Sequence, residues 1–153
     1  KHSFHLYYMQ NFYVDTCIYL NLWQKERGVI FGKPFWFIAK EFFEFAKKTD
    51  STIYYSGYLL KEISFLLKPE VFADKLKLFI YSSNFKRISL DKSEFELAQK
   101  IEVDNKFTIG FYDILHMLLA KKTGSVLITR DKKLLKMASK YKVIAKKPEE
   151  VIY

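Results

Sequence analysis

The chain has 153 residues, half of them hydrophobic, which suits one compact domain with a sizeable buried core. Its single cysteine excludes an internal disulfide, and no apolar run reaches the ~18 residues that a membrane-spanning helix needs. The pattern of a secretory signal is also absent, so we expect a cytoplasmic protein without a membrane partner.

The formal net charge of +9 is concentrated in one segment. Residues 121–147 hold ten lysine or arginine side chains and one acid, whereas basic and acidic side chains balance over the rest of the chain. A localised basic field attracts and holds a polyanion. A lysine-rich solvated face is the alternative, and the charge alone does not separate the two interpretations.

The first strand is predicted after a short N-terminal stretch. We expect residues 1–10 to be an extension or an expression remnant, with Met9 as a native start. A single domain is expected over residues 11–153. We assign no function to His2 or His5. The apolar run that follows ends in Asp15, and Thr16 starts a helix through residue 25. In open α/β sheets ligands bind beyond the carboxyl ends of the strands, where Asp15 would lie.

An aromatic helix is predicted next. Pro34, near its first turn, opens a helix that continues to residue 48 and carries aromatic side chains on more than one face. We expect some of them, with Leu20 and Trp23, to contact a partner; an unusually aromatic core helix is the alternative. Glu41 and Glu44 lie three positions apart on this helix, a spacing that an exposed acidic edge explains better than a metal pair.

The middle of the chain predicts a helix with an acid at its centre. A strand over residues 52–55 precedes Ser56, a typical N-cap, and the helix extends over 57–67 before Pro69. Glu62 lies among mostly apolar residues of this helix, with a Lys61–Glu62 surface feature as the alternative. Three further elements follow in order: a helix over 71–82, a strand over 85–88, and a core-facing helix capped by Asp91.

The stretch FYDILHMLLAKKTGSVLITRD, residues 111–131, is the most informative part of the chain. The helix predicted over 108–122 is apolar nearly all round, so it should be buried, and Asp113 is its only acid. A carboxylate in such surroundings is costly unless it is paired, protonated or bound to a cation. Gly124 ends the helix, and Asp131 follows the next strand, over 125–129. A basic helix over 132–141, a fifth strand over 143–145 and a tail over 148–153 complete the chain.

Alternation of strands and helices predicts an α/β fold with a mostly parallel sheet covered on both faces. If the strands before Asp15 and Asp131 are parallel neighbours, these two acids meet Glu62 and Asp113 at one rim of the sheet. Four carboxylates together repel one another unless a cation is present. Oxygen ligands suit Mg²⁺ or Mn²⁺, ions that support phosphodiester hydrolysis.

Other chemistries have little support in the sequence. There is no GxGxxG, GxxxxGK[ST], HExxH, GxSxG or CxxC motif. His116 is one turn beyond Asp113 and could be a base or a ligand, but a histidine in the core or behind the ligands is the favoured interpretation. Cys17 fits a small buried hydrophobic residue better than a nucleophile.

The chain resembles the PIN-domain ribonucleases, especially the toxin halves of VapBC toxin–antitoxin pairs. The resemblance covers residues 11–150 and depends on four motifs in order: YVDTCIYL, SGYLLKEISFLL, FYDILHMLLA and GSVLITRDKKLL. It implies a three-layer α/β/α domain with a five-stranded parallel sheet. It also implies divalent-metal-dependent cleavage of RNA that leaves 5′-phosphate and 3′-hydroxyl ends.

By this resemblance the four acids would form the site for Mg²⁺ or Mn²⁺. Thr129 would be the hydroxyl that precedes the last acid, and we expect Thr16 and His116 to lie behind the acids as well. An antitoxin protein and a second copy of the chain are the expected protein partners, with the aromatic helix as their candidate contact. The side chains expected to hold the RNA backbone are Arg130, Lys132, Lys133 and Lys136.

Three rival functions stay open at this point. A PIN protein of RNA processing would share the chemistry without an antitoxin. A catalytically silent module would bind RNA or protein, although the intact set of acids argues against it. A metal-dependent hydrolase of small phosphate esters would not need so concentrated a basic segment.

Overall fold

The computed structural model describes residues 10–25 and 28–153. The strands in this part of the chain are β1 (Asn11–Val14), β2 (Val29–Ile30), β3 (Lys33–Pro34), β4 (Thr52–Tyr55), β5 (Phe85–Arg87), β6 (Val126–Ile128) and β7 (Ala145–Lys146). Five of them form one parallel sheet in the order β5-β4-β1-β6-β7, while β2 and β3 form a separate antiparallel hairpin. The predicted α/β class and five-stranded parallel sheet are confirmed.

The helices of the described chain are α1 (Thr16–Trp23), α2 (Phe35–Lys48), α3 (Gly57–Leu66), α4 (Pro69–Tyr81), α5 (Lys92–Asp104), α6 (Phe111–Thr123), α7 (Lys132–Lys140) and α8 (Pro148–Ile152). None of them is long and apolar enough to span a membrane. Several begin or end where the sequence predicts. Ser56 caps α3 by accepting from Leu59 N–H at 3.1 Å, Asp91 forms a capping box with Glu94, and Gly124 ends α6 with φ +63°.

Two hydrophobic layers cover the sheet. Phe12 and Val14 of β1 point to the layer that contains α1, α2 and α4, whereas Tyr13 points to the opposite layer of α5, α6 and α7. This alternation is what a strand with both faces buried requires. The carboxyl ends of all five strands therefore meet at one rim, between the two helical layers.

The structure differs from the prediction at four places. The hairpin of β2 and β3 was not predicted, because strands of two residues have no measurable period. The predicted tail over 148–153 is wrong, since Pro148 starts α8 and Glu149 is buried. The last strand lies at Ala145–Lys146 rather than at 143–145, and Pro69 opens α4 rather than merely closing α3. The predicted extension covers residues 1–10, of which residues 1–9 lie outside the described chain.

Candidate metal centre

The ends of β1 and β6 place two acids side by side. The strands are parallel neighbours with Val14 paired to Ile128, and Asp15 N–H donates to the Ile128 carbonyl at 2.9 Å. The Thr129 hydroxyl donates to Asp15 Oδ2 at 2.7 Å, and the Thr129 hydroxyl oxygen accepts from Asp131 N–H at 3.1 Å. Thr129 therefore ties the two strand exits together and sets the spacing of the two acids.

Asp15 is held by three hydrogen bonds and is 4% exposed. Its Oδ1 accepts from Thr16 N–H at 2.8 Å, and its Oδ2 accepts from Cys17 Sγ at 3.3 Å in addition to Thr129. Burial and the charge of Asp15 raise the pKa of the Cys17 thiol far above its ordinary value. Cys17 is thus a neutral donor to Asp15, in agreement with the prediction that it is not a nucleophile.

Glu62 reaches the same place from α3. Its Oε1 accepts from the Thr16 hydroxyl and lies 2.8 Å from His116 Nε2. Burial favours protonation of Glu62, but the hydrogen bonds from His116 and Thr16 outweigh it and lower the pKa of the carboxyl. Glu62 is consequently an ionised carboxylate whose orientation is set from two sides.

A buried chain of hydrogen bonds supports His116. His116 Nδ1 lies 2.8 Å from the Tyr13 hydroxyl, which lies 2.8 Å from Ser56 Oγ. Burial raises the pKa of Tyr13 far above its ordinary value, so the hydroxyl keeps its proton and is available to donate to Nδ1 of a neutral imidazole, while ionised Glu62 can only accept from Nε2. His116 then carries its proton on Nε2 and donates it to Glu62, an assignment that follows from the partners.

Asp113 completes the group from the first turn of α6. Burial, followed by the charge of Asp15, raises the pKa of Asp113 to about 7, although His116 acts in the opposite direction. The charges of Asp131 and Glu62 add to the increase. The four acids therefore interact electrostatically, and all of them line one cleft of about 510 Å³ with Thr16, Cys17, Leu20, Leu66 and Arg130.

Helix N-termini offset part of this negative charge. Asp15 and Asp131 are the N-caps of α1 and α7, and Asp113 lies in the first turn of α6. Asp131 Oδ1 accepts from Lys133 N–H at 2.8 Å and from Leu134 N–H at 3.3 Å. Unpaired N–H groups and the helix dipole stabilise a nearby carboxylate. The helix N-termini thus reduce the electrostatic cost of placing these acids close together.

The donor set fits a divalent cation. One ligand atom from each of Asp15, Glu62 and His116 lies within 4.8 Å of the other two. Both ring nitrogens of His116 already have partners, which favours an orienting role for the histidine over ligation. With carboxylates as the remaining donors, Mg²⁺ or Mn²⁺ suits the site better than zinc.

Arg130 has partners within the protein. Its Nη1 donates to Glu149 Oε2 at 2.9 Å, its Nε donates to Asn21 at 3.3 Å, and its guanidinium lies 4.0 Å from the centre of the Phe35 ring. Nη2 is also 2.9 Å from Glu149 Oε1, at an angle that makes this contact an ion pair without a hydrogen bond. Arg130 lines the cleft, but it also fastens α8 to β6.

The other predicted RNA-binding cations lie along α7. Lys132, Lys133 and Lys136 are exposed, whereas Leu134 and Met137 of the same helix are buried in the core. This arrangement is the amphipathic helix that the sequence predicts. Their contact with RNA stays a prediction.

Sequence reasoning missed the side chains that support the acids. Tyr13 and Ser56 gave no signal, because a tyrosine inside a strand and a serine before a helix are ordinary structural residues. Glu149 was missed because it lay in a segment interpreted as a tail. Glu41, which the sequence disfavours as half of a metal pair, binds Lys33 Nζ at 3.2 Å and the Tyr153 hydroxyl.

Comparison with known proteins gives a family and a fold. The model of the PIN domain family matches residues 12–140, whereas comparison with curated proteins gives no match. Among solved structures, a chain of VapBC2 from Rickettsia felis, bound to a DNA fragment from its promoter, aligns with TM-score 0.65 and 18% identity over 90% of this chain and 98% of that one.

Two further structures align over similar lengths. VapBC-1 from nontypeable Haemophilus influenzae aligns with TM-score 0.61 and 15% identity, over 92% of this chain and 99% of that one. FitAcB from Neisseria gonorrhoeae aligns with TM-score 0.57 and 12% identity, over 90% and 98%. At these identities the three structures show a shared fold.

Proposed function

Because the chain belongs to the PIN-domain family, whose members are generally nucleases, we propose that it is a divalent-metal-dependent endoribonuclease. The observation that carries the proposal is the meeting of Asp15, Glu62, Asp113 and Asp131 along one cleft, where burial and then the neighbouring carboxylates raise the pKa of Asp113. Clustered acids whose mutual repulsion is only partly offset are typical of a site that binds a cation.

Asp15, Asp113 and Asp131 would hold Mg²⁺ or Mn²⁺ directly, with Glu62 completing the site. Such a cation, when bound, increases the acidity of water and stabilises negative charge on a phosphate and its leaving oxygen. The rest of the catalytic work falls to the side chains of the chain itself.

The first task of these side chains is to keep Asp15 in one orientation. Thr129, Cys17 and the Thr16 amide all donate to it, so its lone pairs on the protein side are already used. Its position is therefore fixed before any ligand arrives. A site organised in advance loses less entropy on binding and holds reacting groups more accurately.

Glu62 is the group that would orient the attacking water. Its Oε1 is occupied by Thr16 and His116, whereas Oε2 has no hydrogen-bond partner among residues 10–25 and 28–153. Because the pKa of Glu62 is lowered, Oε2 is an ionised acceptor and can take a hydrogen bond from water. His116, held by Tyr13, keeps this acceptor aimed at the cleft.

The substrate would be bound through its backbone by the exposed lysines of α7. Asp131 caps this helix, so the lysines of α7 begin next to the acids. Contacts of lysine with phosphate give affinity with little choice of sequence. Arg130, already bound to Glu149, would contribute its field at the edge of the cleft.

We also propose a toxin role with an antitoxin partner, since VapBC complexes are among the proteins of similar fold. The half-buried aromatic residues at the start of α2, with Leu20 and Trp23 of α1, form the surface proposed for the antitoxin or for a second copy of the chain. Co-expression with the protein of the neighbouring reading frame, followed by co-purification, tests this part of the proposal.

The nuclease is tested by cleavage of a single-stranded RNA in Mn²⁺ and in EDTA. We expect cleavage in Mn²⁺ alone, and a loss of at least ~100-fold in Asp113→Asn, because a residue that binds the cation is removed. Asp74→Asn, which changes an exposed acid on α4, is the matched control and should retain the wild-type rate.

The alternatives give other results in the same assay. RNA that binds without being cut in Mn²⁺ would indicate a silent binding module. Hydrolysis of small phosphate esters together with intact RNA would indicate the phosphoesterase. Cleavage by Asp113→Asn at the wild-type rate would contradict the proposed site.

A further inference from the structure

A second groove lies beside the acid cleft, on the other side of α3 and α6. It has a volume of about 490 Å³ and is lined largely by aromatic and basic side chains: Gly57, Tyr58, Lys61, Arg87, Ser89, Phe95, Phe111, Tyr112 and Leu115. None of these residues belongs to the four acids or to the network that supports them. The groove therefore needs an explanation of its own.

The aromatic side chains form a continuous wall. Tyr58 stacks on Phe95 with ring centres 6.1 Å apart and planes inclined by 26°. Phe95 meets Phe111 edge to face at 5.4 Å. Tyr58, Phe95 and Phe111 are half-buried, so each ring is fixed by the core on one side and accessible on the other. Rigid aromatic faces of this kind are platforms on which flat ring systems stack.

Positive charge borders this wall. Lys61 and Arg87 are exposed, and within the described chain neither has a carboxylate within 4.0 Å, whereas Lys33, Lys100 and Lys122 all do. Among the residues that the structure describes, no acid lines the groove. Arg87 crosses the start of α3, where a Cβ on Gly57 would lie 2.9 Å from its Nη2. A glycine here leaves room for the guanidinium to stay over the groove.

The groove and the acid cleft are immediate neighbours. Lys61 precedes Glu62 on α3, and Tyr112 precedes Asp113 on α6, so one residue of each pair lines the groove and the other lines the cleft. The Cα atoms within each pair are about 3.8 Å apart. Arg87 ends β5, at the same rim of the parallel sheet as Asp15. A polymer bound across the cleft would therefore extend into the groove.

We propose that this groove is a base-binding subsite for single-stranded RNA next to the cleavage site. A nucleotide adjoining the scissile phosphate would stack its base on the wall of Tyr58, Phe95 and Phe111. Lys61 and Arg87 would contact the flanking phosphates. Duplex RNA would be excluded because its bases are not available for stacking. The inference rests on the nuclease function proposed above.

An RNA strand suits the groove better than a protein segment does. A peptide that matches two unpaired cations must supply acids, but it has no need of an aromatic wall of stacked and edge-to-face rings. A nucleotide supplies a flat ring and a phosphate at neighbouring positions, which is the combination that the groove displays. Charge and shape therefore favour the same occupant.

The first test maps the contact on the unaltered protein. A short single-stranded RNA carrying bromouridine is bound in EDTA, which prevents cleavage, and is then irradiated and analysed by mass spectrometry. We expect the cross-link on Tyr58, Phe95, Phe111 or Tyr112. A cross-link confined to α7, to Trp23 or to Trp36 would overturn the subsite.

The second test measures KM and kcat for RNA cleavage in Mn²⁺. Tyr58→Leu keeps an apolar side chain but removes the stacking face, so KM should rise at least about fivefold with kcat nearly unchanged. Lys61→Ala, an exposed change with little risk to folding, should raise KM and weaken its dependence on salt. Tyr81→Leu and Lys77→Ala, on exposed positions of α4, are the matched controls and should behave as the wild type.

The outcomes separate the subsite from the nuclease itself. Wild-type cleavage with unchanged KM in Tyr58→Leu and Lys61→Ala would overturn the subsite and leave the nuclease intact. It would also direct attention to a protein partner for the groove. A wild type that neither binds nor cuts RNA would overturn both proposals.

Discussion

Asp113 is the residue at which folding and the proposed function make opposite demands. Burial and the neighbouring acids raise its pKa to about 7, so at higher pH the folded protein carries a carboxylate in unfavourable surroundings. The unfolded chain has no such penalty, because its carboxyl ionises near pH 4. The folded state consequently binds the proton more tightly, and stability falls as the pH rises from about 4 to about 7.

Asp113→Asn should therefore stabilise the metal-free protein. We expect about 2 kcal/mol at pH 8, after allowance for partial exposure, since the substitution removes an ionised group from repulsive surroundings. The gain should shrink as the pH falls below about 7 and disappear near pH 4, where both states of the wild type are protonated. Urea unfolding in EDTA at several pH values measures it. A variant less stable than the wild type at pH 8 would contradict the assignment.

Tyr13 and Tyr19 provide a matched pair of buried tyrosines. Both are fully buried, but the Tyr13 hydroxyl binds Ser56 and His116, while the Tyr19 hydroxyl has no partner within the described residues. Tyr13→Phe should cost about 1–3 kcal/mol because His116 Nδ1 loses its donor. Tyr19→Phe should cost nothing, or should stabilise the fold.

The same pair tests how Glu62 is oriented. In Tyr13→Phe the tautomer of His116 is no longer fixed, so we expect kcat to fall about tenfold with a smaller change in KM. Tyr19→Phe should keep the wild-type rate. The comparison is made by urea unfolding and by single-turnover cleavage of RNA. Equal losses of rate in the two variants would indicate that the Tyr13 hydroxyl does not act on the site.

At the scale of the secondary-structure elements, α8 closes the structure over the end of β6. Glu149 is buried and binds Arg130, which packs on Phe35 of α2, so one ion pair joins the C-terminal helix to two other elements. Removing one partner of a buried pair leaves an uncompensated charge.

Glu149→Gln should therefore destabilise the protein by about 3 kcal/mol, even though it changes little in shape. Urea unfolding measures the loss. Glu150→Gln alters the adjacent exposed acid and should cost less than about 1 kcal/mol. Equal stabilities of the two variants would mean that the ion pair between Arg130 and Glu149 does not stabilise the fold.

The acids could be predicted from the sequence because each one interrupts a local pattern. Asp15 and Asp131 follow apolar strands, and Asp113 stands alone on an apolar helix. Parallel pairing then brings strand ends together without further information. Exact helix boundaries were predicted less accurately. The helix predicted from residue 108 begins at Phe111, which puts Asp113 in the first turn, near the end of the helix dipole that offsets its charge.

The supporting contacts could not be predicted in the same way. Tyr13, Ser56 and His116 are separated by up to 103 positions in the sequence and meet through packing alone. A buried tyrosine in a strand carries no mark of the hydroxyl bond that it will make. Likewise, the hairpin of β2 and β3 is fixed by backbone bonds of very short strands rather than by hydrophobic periodicity.

At the scale of the whole molecule, the acids of the cleft and the lysines of α7 occupy neighbouring regions, because Asp131 both lines the cleft and caps α7. Four acids lie at the rim of the sheet, and seven of the ten basic residues of the 121–147 segment follow the last of these acids in the chain. A polyanion would be attracted by the second region and brought to the first.

This division predicts a specific dependence on salt. Lys132→Gln with Lys133→Gln should weaken RNA binding and reduce the slope of log Kd against log salt by about 0.7 for each phosphate that is no longer neutralised. Lys47→Gln with Lys48→Gln removes the same charge from the exposed end of α2 and should leave the slope nearly unchanged. Fluorescence anisotropy in EDTA measures both. Equal changes in the two double variants would mean that general charge, and not α7, binds the RNA.

The central claim is that the four carboxylates form a site for a divalent cation, and melting in the presence of Mn²⁺ tests it most directly. A cation that binds only the folded state, at a concentration a hundred times its Kd, stabilises that state by about 2.7 kcal/mol. For a domain of this size, the stabilisation raises the Tm by about 5–10 °C. We predict such a rise for the wild type and none for Asp113→Asn, whose metal-free Tm is higher at pH 8. No rise in the wild type, or an equal rise in Asp113→Asn, would contradict the account.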